Sequence, residues 1–198
     1  MLMDRKTYFI ANWKMNFSIE EANYYLLEWK NKKLNNDNIQ TIICPPFTAL
    51  ELVGRLLRNT KTELGAQNVF YESSGAYTGE ISTSMIKDLG CKWVIIGHSE
   101  RRNIIGETNQ IINNKLSYVL KSNLYPILCI GESLEEREKG QTEQVIEEQL
   151  HKAFNNIHLQ KIISLIIAYE PVWAIGSGIN ADSKIITEVH TIIRNILN

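Results

Sequence analysis

The chain has 198 residues, of which 44% are hydrophobic and 22% are charged, and its formal net charge is −1. These values are typical of a globular protein with one moderate to large domain or two small ones. The balanced charge excludes a strong field of the kind that attracts nucleic acid or an anionic membrane, so local groups must hold any anionic substrate.

Targeting and membrane signals are absent from the sequence. No apolar run approaches the roughly 20 residues that a membrane-spanning helix needs, and the first residues, MLMDRKTYFIANWK, lack the apolar core of a signal peptide. We therefore expect a cytoplasmic protein. Cys44, Cys91 and Cys129 are odd in number and lack CxxC spacing, so we expect buried, reduced thiols.

Short apolar runs alternate with helix-like segments along the whole chain. The runs, in chain order, are TYFIAN, TIICPP, ELGAQN, WVIIGH, YPILCIGE and IISLIIAYE. This alternation predicts one α/β domain over residues 1–198, with parallel strands and right-handed crossovers. Two architectures remain open: a doubly wound sheet and a (β/α) barrel. No G-x-G-x-x-G follows the first strand, which disfavours dinucleotide binding.

Three helices have clear sequence signals. Ser18 and Glu21 form a capping box, which predicts a helix through about Lys33. The segment TEQVIEEQLHKAF and the final segment each carry an apolar stripe at helical spacing. The stripe residues are Val145, Ile146, Gln149, Leu150, Ala153 and Phe154 in the first, and Ile185, Ile186, Val189, Ile192, Ile193, Ile196 and Leu197 in the second.

The segment QNVFYESSGAYTGE, residues 67–80, has no periodicity of its own. A loop of this length in a compact domain is usually functional or part of an interface. Its apolar, aromatic centre with glycine hinges suits insertion into a partner chain, and a surface loop without function is the alternative.

Polar residues interrupt the pattern where three predicted strands end. Asn12 and Lys14 follow the first strand, His98 and Glu100 follow the fourth, and Glu170 ends the sixth. In parallel α/β folds, functional sites form at the carboxyl ends of the strands. Each residue alone has an ordinary structural explanation, but three strands that end in ionisable groups favour a site.

The residue types suit proton transfer beside a carbonyl. Glu170 is a candidate general base, because apolar neighbours in AYEPVW would desolvate its carboxylate. His98 precedes the helix start SERR, so its imidazole should stay neutral and donate a hydrogen bond to an oxyanion. Lys14 supplies fixed positive charge, and Asn12 can donate to a developing alkoxide.

The sequence contains glycines that suit phosphate binding, but no pattern that indicates a metal site. Gly176 and Gly178 could let backbone N–H groups approach a phosphate. No His or Cys cluster has the spacing of a metal site, and no Walker sequence is present. We therefore expect catalysis without a metal or a cofactor.

Five segments together resemble the triosephosphate isomerase family, in the family's order. They are ANWKMN, AQNVFYESSGAYTGEIS, IIGHSERR, CIGESLEEREKGQT and AYEPVWAIGSG, and the resemblance extends from about Thr7 to Asn198. It implies a (β/α)₈ barrel, of which the first six βα units are present. It also implies interconversion of D-glyceraldehyde 3-phosphate and dihydroxyacetone phosphate, as in glycolysis and gluconeogenesis.

The resemblance assigns a role to each candidate residue. Glu170 would move a proton between two carbons, and His98 would polarise the carbonyl and shuttle protons between oxygens. Lys14 and Asn12 would bind substrate and stabilise the enediolate, and Glu100 would support the cluster around Lys14.

The resemblance also implies two functional loops. A hinge and mobile lid that excludes water would comprise Pro171, Val172, Trp173, Ala174, Ile175, Gly176, Ser177 and Gly178, with the Gly176 N–H on the phosphate. A loop that inserts into a second subunit of a homodimer would comprise Gly75, Ala76, Tyr77, Thr78 and Gly79.

The sequence departs from the family pattern at two places. Ile179 stands where the lid usually has a lysine, followed by Asn180 and Ala181. A complete barrel of this kind takes about 250 residues, and the last two βα units, with their phosphate-binding loops, have no counterpart here. We expect bare edge strands, low stability or aggregation, and weakened phosphate binding.

These departures keep an alternative open. The chain could be an inactive, truncated barrel that serves as a dimerisation or binding module. The intact set of Asn12, Lys14, His98 and Glu170 favours the enzyme. Another barrel isomerase or aldolase would not explain AYEPVWAIG together with GHSERR.

Overall fold

The computed structural model describes residues 6–31, 38–158, 164–175, 178 and 180–197. Contacts between Cα atoms divide the chain into two compact units. The first comprises residues 1–95 and 118–126, and the second comprises residues 96–117 and 127–198. The single domain expected from the sequence stays a prediction.

Strands and helices alternate along the chain, as expected. In chain order they are β1 (Thr7–Asn12), α1 (Ile19–Asn31), β2 (Ile39–Cys44), α2 (Phe47–Leu57), β3 (Glu63–Ala66), α3 (Thr83–Asp88), β4 (Trp93–Ile96), α4 (Ser99–Asn103), α5 (Asn109–Lys121), β5 (Tyr125–Ile130), α6 (Leu134–Glu138), α7 (Thr142–Ala153), β6 (Ile166–Tyr169) and α8 (Ser183–Leu197).

Strand pairing is parallel within each unit. In the first unit, β1 pairs with β2 from Thr7 opposite Ile39 to Asn12 opposite Cys44. There β2 also pairs with β3, and β3 pairs with β4. In the second unit, β5 pairs with β6, and this register ends with Ile130 opposite Tyr169. The carboxyl ends of β5 and β6 therefore lie side by side.

Strand order decides between the two architectures that the sequence left open. The strands neighbour one another in chain order, from β1 to β6. A doubly wound sheet reverses its order at a switch point, whereas the strands of a (β/α) barrel follow one another in sequence. The prediction of a barrel fold with its first six βα units is confirmed, and the doubly wound alternative is wrong.

Burial differs between the central strands and the two ends of the strand order. All four residues of β4 are buried, whereas all four residues of β6 are only half-buried. At the other end, Phe9 of β1 is 57% exposed. The strands expected to be edges, β1 and β6, are therefore the least buried strands of the described residues.

The predicted helix signals are confirmed. At the start of α1, the Ser18 N–H donates to Glu21 Oε2 at 2.7 Å, and the Glu21 N–H donates to Ser18 Oγ at 3.3 Å. The stripe of α7 is buried at Ile146, Leu150 and Ala153. The stripe of α8 is buried only at Val189 and Ile193. Residues 32 and 33, where α1 was expected to end, lie outside the described residues.

Strand β6 begins later than predicted. The apolar run IISLIIAYE suggests a strand from Ile162, but β6 spans Ile166–Tyr169, and Ser164 and Leu165 precede it. Residues 162 and 163 lie outside the described residues. Hydrophobicity alone marked the run, and it does not report where the backbone pairing begins.

The three cysteines are free and buried, as expected. Burial raises the pKa of the Cys44 thiol and raises that of Cys91 to about 12. Both thiols are therefore neutral at physiological pH, which is typical of thiols that serve packing. Within the described residues, no helix has both the length and the apolar character needed to cross a membrane.

Candidate active site

Asn12 and Lys14 lie together at the carboxyl end of β1, in the first unit. The Lys14 N–H donates to Asn12 Oδ1 at 3.0 Å. Lys14 has a φ of 53°, in the left-handed region that residues with a side chain rarely adopt. Such backbone strain persists only where surrounding contacts impose it, and it is concentrated at functional sites.

Gln67 supplies contacts that hold this turn, although the sequence analysis placed it only at the start of a loop. Its Nε2 donates to the carbonyl oxygens of both Lys14 and Cys44, each at 2.9 Å. The Trp13 N–H also donates to the Cys44 carbonyl oxygen, at 3.1 Å. The end of β2 and the side chain after β3 thus hold the Lys14 backbone in its strained conformation.

His98 caps the amino end of α4, in the second unit. Its Nδ1 accepts a hydrogen bond from the Glu100 N–H at 3.3 Å. In a neutral imidazole with this contact, the proton is on Nε2. The neutral, hydrogen-bond-donating His98 that the helix start predicted stays a prediction.

Glu170 lies directly after β6 and contacts His98. Its Oε1 is 3.1 Å from His98 Nε2, and its Oε2 accepts from the Ser99 N–H at 2.8 Å. Only 15% of the Glu170 side chain and 11% of the His98 side chain are exposed. The Glu170 carboxyl and the His98 imidazole therefore face each other, largely shielded from water.

Glu100 contacts His98. Besides the backbone hydrogen bond, its Oε2 lies 3.4 Å from His98 Nδ1, and its side chain is 42% exposed. The sequence assigned Glu100 to the cluster around Lys14, and that role stays a prediction. Ser99 contacts Glu170 through its backbone N–H. The sequence analysis did not select Ser99, because a backbone contact does not depend on the residue type and so leaves no pattern in the sequence.

Arg102 braces the turn that carries His98. Its Nε donates to the Gly97 carbonyl oxygen at 2.7 Å, and its Nη2 donates to the Cys129 carbonyl oxygen at 3.0 Å. Burial lowers the pKa of its guanidinium, and the nearby Cys129, Glu170 and Glu107 oppose that shift. Arg102 thus links the ends of β4 and β5 within the second unit.

A buried carboxylate, Glu132, anchors the segment around the candidate base. Its Oε1 accepts hydrogen bonds from Tyr169 Oη at 2.9 Å and from Trp173 Nε1 at 3.1 Å. Arg137 Nη1 also lies 3.1 Å from this oxygen, and its guanidinium sits 4.9 Å from the Trp173 ring centroid. Burial, reinforced by Glu132, raises the pKa of Tyr169, so the phenol remains a donor.

The expected hinge and lid are described in part. Val172–Ala174 forms a short 3₁₀ turn that follows Pro171, and the Ala174 N–H donates to the Pro171 carbonyl oxygen at 2.8 Å. Gly178 has a φ of 77°. Gly176 and Ser177 lie outside the described residues, and the lid motion stays a prediction.

The expected dimer loop belongs to the first unit and has no regular secondary structure. The Phe70 N–H donates to the Ile81 carbonyl oxygen at 2.8 Å and closes the base of the loop. Gly75 and Gly79 have φ values of 139° and 91°. All residues from Gly75 to Gly79 are exposed.

Metal binding has no support in the described part of the chain. No group of three or more His, Cys, Asp and Glu side chains is arranged there to hold a metal ion. The donors that converge at the candidate site are an imidazole, a carboxylate and backbone N–H groups, which suit proton transfer and oxyanion binding.

Comparisons with known proteins place the chain in a family. The family model described as triosephosphate isomerase matches residues 7–198. A triosephosphate isomerase of Dictyoglomus turgidum is 47% identical over 194 residues, which are 98% of this chain and 78% of the relative. One of Aquifex aeolicus is 47% identical over 190 residues, 95% of this chain and 76% of the relative. Because both the model and these relatives match almost the whole chain, the chain belongs to the triosephosphate isomerase family.

Proposed function

We propose that the protein interconverts D-glyceraldehyde 3-phosphate and dihydroxyacetone phosphate through an enediolate, by general acid and base catalysis. The observation that carries this proposal is the contact between Glu170 Oε1 and His98 Nε2, which are 3.1 Å apart. A shielded carboxylate beside an N–H donor is the arrangement that moving a proton next to a carbonyl requires. Its place in glycolysis and gluconeogenesis follows from this activity and is part of the proposal.

Glu170 acts as the base in this proposal. Its carboxylate removes a proton from the substrate carbon next to the carbonyl and returns it to the neighbouring carbon. His98 Nε2–H donates a hydrogen bond to the oxygen on which negative charge develops, and exchanges a proton between the two oxygens. Since Glu170 and His98 contact each other, this contact must open before either group reaches substrate.

Lys14, Asn12 and Gly176 bind the substrate. The Lys14 ammonium balances the negative charge of the phosphate and of the enediolate, and the Asn12 amide donates to a substrate oxygen. The Gly176 N–H binds the phosphate when the lid, Pro171 to Gly178, closes and excludes water. Glu100 supports Lys14. The strained Lys14 backbone, held by Gln67, supports a functional role for that turn.

We further propose a cytoplasmic homodimer that forms through the loop from Gly75 to Gly79. The first unit exposes several large apolar side chains, among them Met15 at 97%, Met85 at 54% and Tyr77 at 44%. Exposed apolar groups of this kind are typical of surfaces that bind another protein. The tilted contact of Phe70 with Tyr77, with ring centroids 4.7 Å apart, gives the loop a preformed aromatic centre.

Isomerisation in deuterium oxide tests the enzyme directly. The proton held by Glu170 exchanges with solvent in part of the turnovers, so isomerisation of D-glyceraldehyde 3-phosphate through an enediolate should place deuterium on C1 of part of the dihydroxyacetone phosphate, which proton NMR detects as loss of a signal. Glu170→Gln should lower kcat by at least about 100-fold, because it removes the base and preserves the shape. The exposed Glu188→Gln is the matched control and should leave kcat unchanged. An inactive wild-type protein that still dimerises would favour the binding-module alternative.

The dimer is tested separately by light scattering after size-exclusion chromatography. Tyr77→Arg should give monomers, because it places a charge at the centre of the proposed contact. Tyr24→Arg changes another exposed tyrosine, 69% exposed on α1, and should leave the mass unchanged. A dimer that survives Tyr77→Arg would overturn this interface.

A further inference from the structure

The side-chain amide of Gln149 forms two hydrogen bonds with one backbone residue, Gly131. The Gly131 N–H donates to Gln149 Oε1, and Gln149 Nε2 donates to the Gly131 carbonyl oxygen, both at 3.0 Å. Gln149 thereby satisfies both polar backbone groups of the residue that follows β5. The side-chain amides of Gln and Asn offer a donor and an acceptor in the manner of a peptide group, whatever the pH.

Gly131 lies directly against the backbone of Glu170. The pairing of β5 with β6 ends at Ile130 and Tyr169, and the Glu170 N–H still donates to the Ile130 carbonyl oxygen at 2.8 Å. A Cβ atom on Gly131 would lie 1.8 Å from the Glu170 carbonyl oxygen. The position of the Gly131 peptide therefore limits where the Glu170 backbone can lie.

Packing alone does not fix this contact. Gly131, Glu170 and Gln149 all line an open cavity of about 200 Å³, together with Ser99 and other residues of the second unit. The space beside the strand ends would let the Gly131 peptide shift if its hydrogen bonds were lost. Gln149 itself is well anchored, because the residues beside it on α7, Ile146 and Leu150, are fully buried.

We propose that Gln149 is a positioning residue for the catalytic base: it holds Gly131, and Gly131 holds the backbone of Glu170. This inference rests on the proposed isomerase activity. Gln149 is given no role in substrate contact or proton transfer. Its loss should therefore reduce the rate of the chemical step, because a misplaced base is less effective even when binding is intact.

The first test compares Gln149→Met with Gln144→Met. Methionine preserves length and helix propensity but cannot make either hydrogen bond, and Gln144 is an exposed glutamine of the same helix. We expect Gln149→Met to lower kcat by about 10- to 100-fold with KM changed less than twofold. Gln144→Met should match wild type. Unchanged kcat in folded Gln149→Met would overturn the proposal.

The pH profile of Gln149→Glu gives a readout that a purely structural role would not move. A protonated carboxyl has the same donor and acceptor pair as the amide, whereas the carboxylate only accepts and repels the Gly131 carbonyl oxygen. The ratio of kcat in Gln149→Glu to kcat in Gln149→Met should therefore fall as the pH rises. A flat ratio near one at all pH values would contradict the role of the paired hydrogen bonds.

Hydrogen exchange separates failure of this inference from failure of the proposed activity. The amides of Gly131 and Glu170 should exchange faster in Gln149→Met and at the wild-type rate in Gln144→Met, whether or not the protein is an isomerase. Faster exchange in a protein without isomerase activity would overturn the proposed function and retain the Gln149 contact. Unchanged exchange at both amides would overturn the positioning role.

Discussion

Gly131→Ala tests the coupling between the end of β5 and the candidate base. The added methyl would lie 1.8 Å from the Glu170 carbonyl oxygen and 2.8 Å from its carbonyl carbon, whereas real Cβ atoms essentially never come within 3.0 Å of such neighbours. The Glu170 backbone must therefore retreat by about 1 Å, a displacement that can reduce the rate about 100-fold. Overpacking should also lower the free energy of unfolding by about 1–3 kcal/mol.

The assay is steady-state isomerisation combined with urea unfolding of the same samples. The control is Gly140→Ala: its φ of 69° strains an alanine, but a Cβ there meets nothing within 4 Å. It should lose about 1–2 kcal/mol of stability through backbone strain and keep the wild-type kcat. If folded Gly131→Ala turns over within threefold of wild type, the steric argument is refuted.

Three further outcomes are expected. The pKa of Cys91 rises from 9.0 to about 12 on folding. Its neutral, buried thiol therefore contributes fully to the free energy of unfolding below pH 9, and this contribution is lost as the pH rises towards 12. Between about pH 8 and pH 11, wild type should lose about 3 kcal/mol more unfolding free energy than Cys91→Ala in urea titrations. Glu107 pairs with Arg101 and with the buried Lys115, both at 2.5 Å. Glu107→Gln should therefore destabilise the protein by about 3–5 kcal/mol, and a loss under 1 kcal/mol would show that these cations are solvated. Phe9 of β1 is 57% exposed, so Phe9→Lys should reduce any species larger than a dimer that light scattering detects, and an unchanged distribution would exclude the β1 edge as their cause.

The parts of the site that could be predicted from sequence are those where a polar residue breaks an apolar run. Asn12 ends β1, and Lys14, His98 and Glu170 follow their strands; this position and their residue types marked them. The strand order could not be predicted in the same way, because a doubly wound sheet and a barrel share the same alternation of strands and helices. The resemblance to the triosephosphate isomerase family implied a barrel, and the pairing between strands then showed their order along the chain.

The residues that sequence reasoning missed act through backbone groups of distant partners. Gln67 binds the Lys14 carbonyl oxygen 53 positions away, and the Ser99 N–H binds Glu170 71 positions away. Gln149 was assigned only to a helical stripe, and its Gly131 partner lies 18 positions before it. No spacing rule covers such contacts, since any residue type can offer the backbone group and the fold alone brings the pair together.

The left-handed backbone of Lys14 places stability and activity in opposition at one residue. Glycine would adopt a φ of 53° without the roughly 1–2 kcal/mol penalty that a residue with a side chain carries there. The greater conformational freedom of glycine in the unfolded chain would offset part of this gain in stability. Lys14→Gly would thus relieve strain while it removes the cation proposed to hold the substrate. A library screened for heat resistance alone would enrich such a variant, so directed evolution of this protein must select for turnover at the same time.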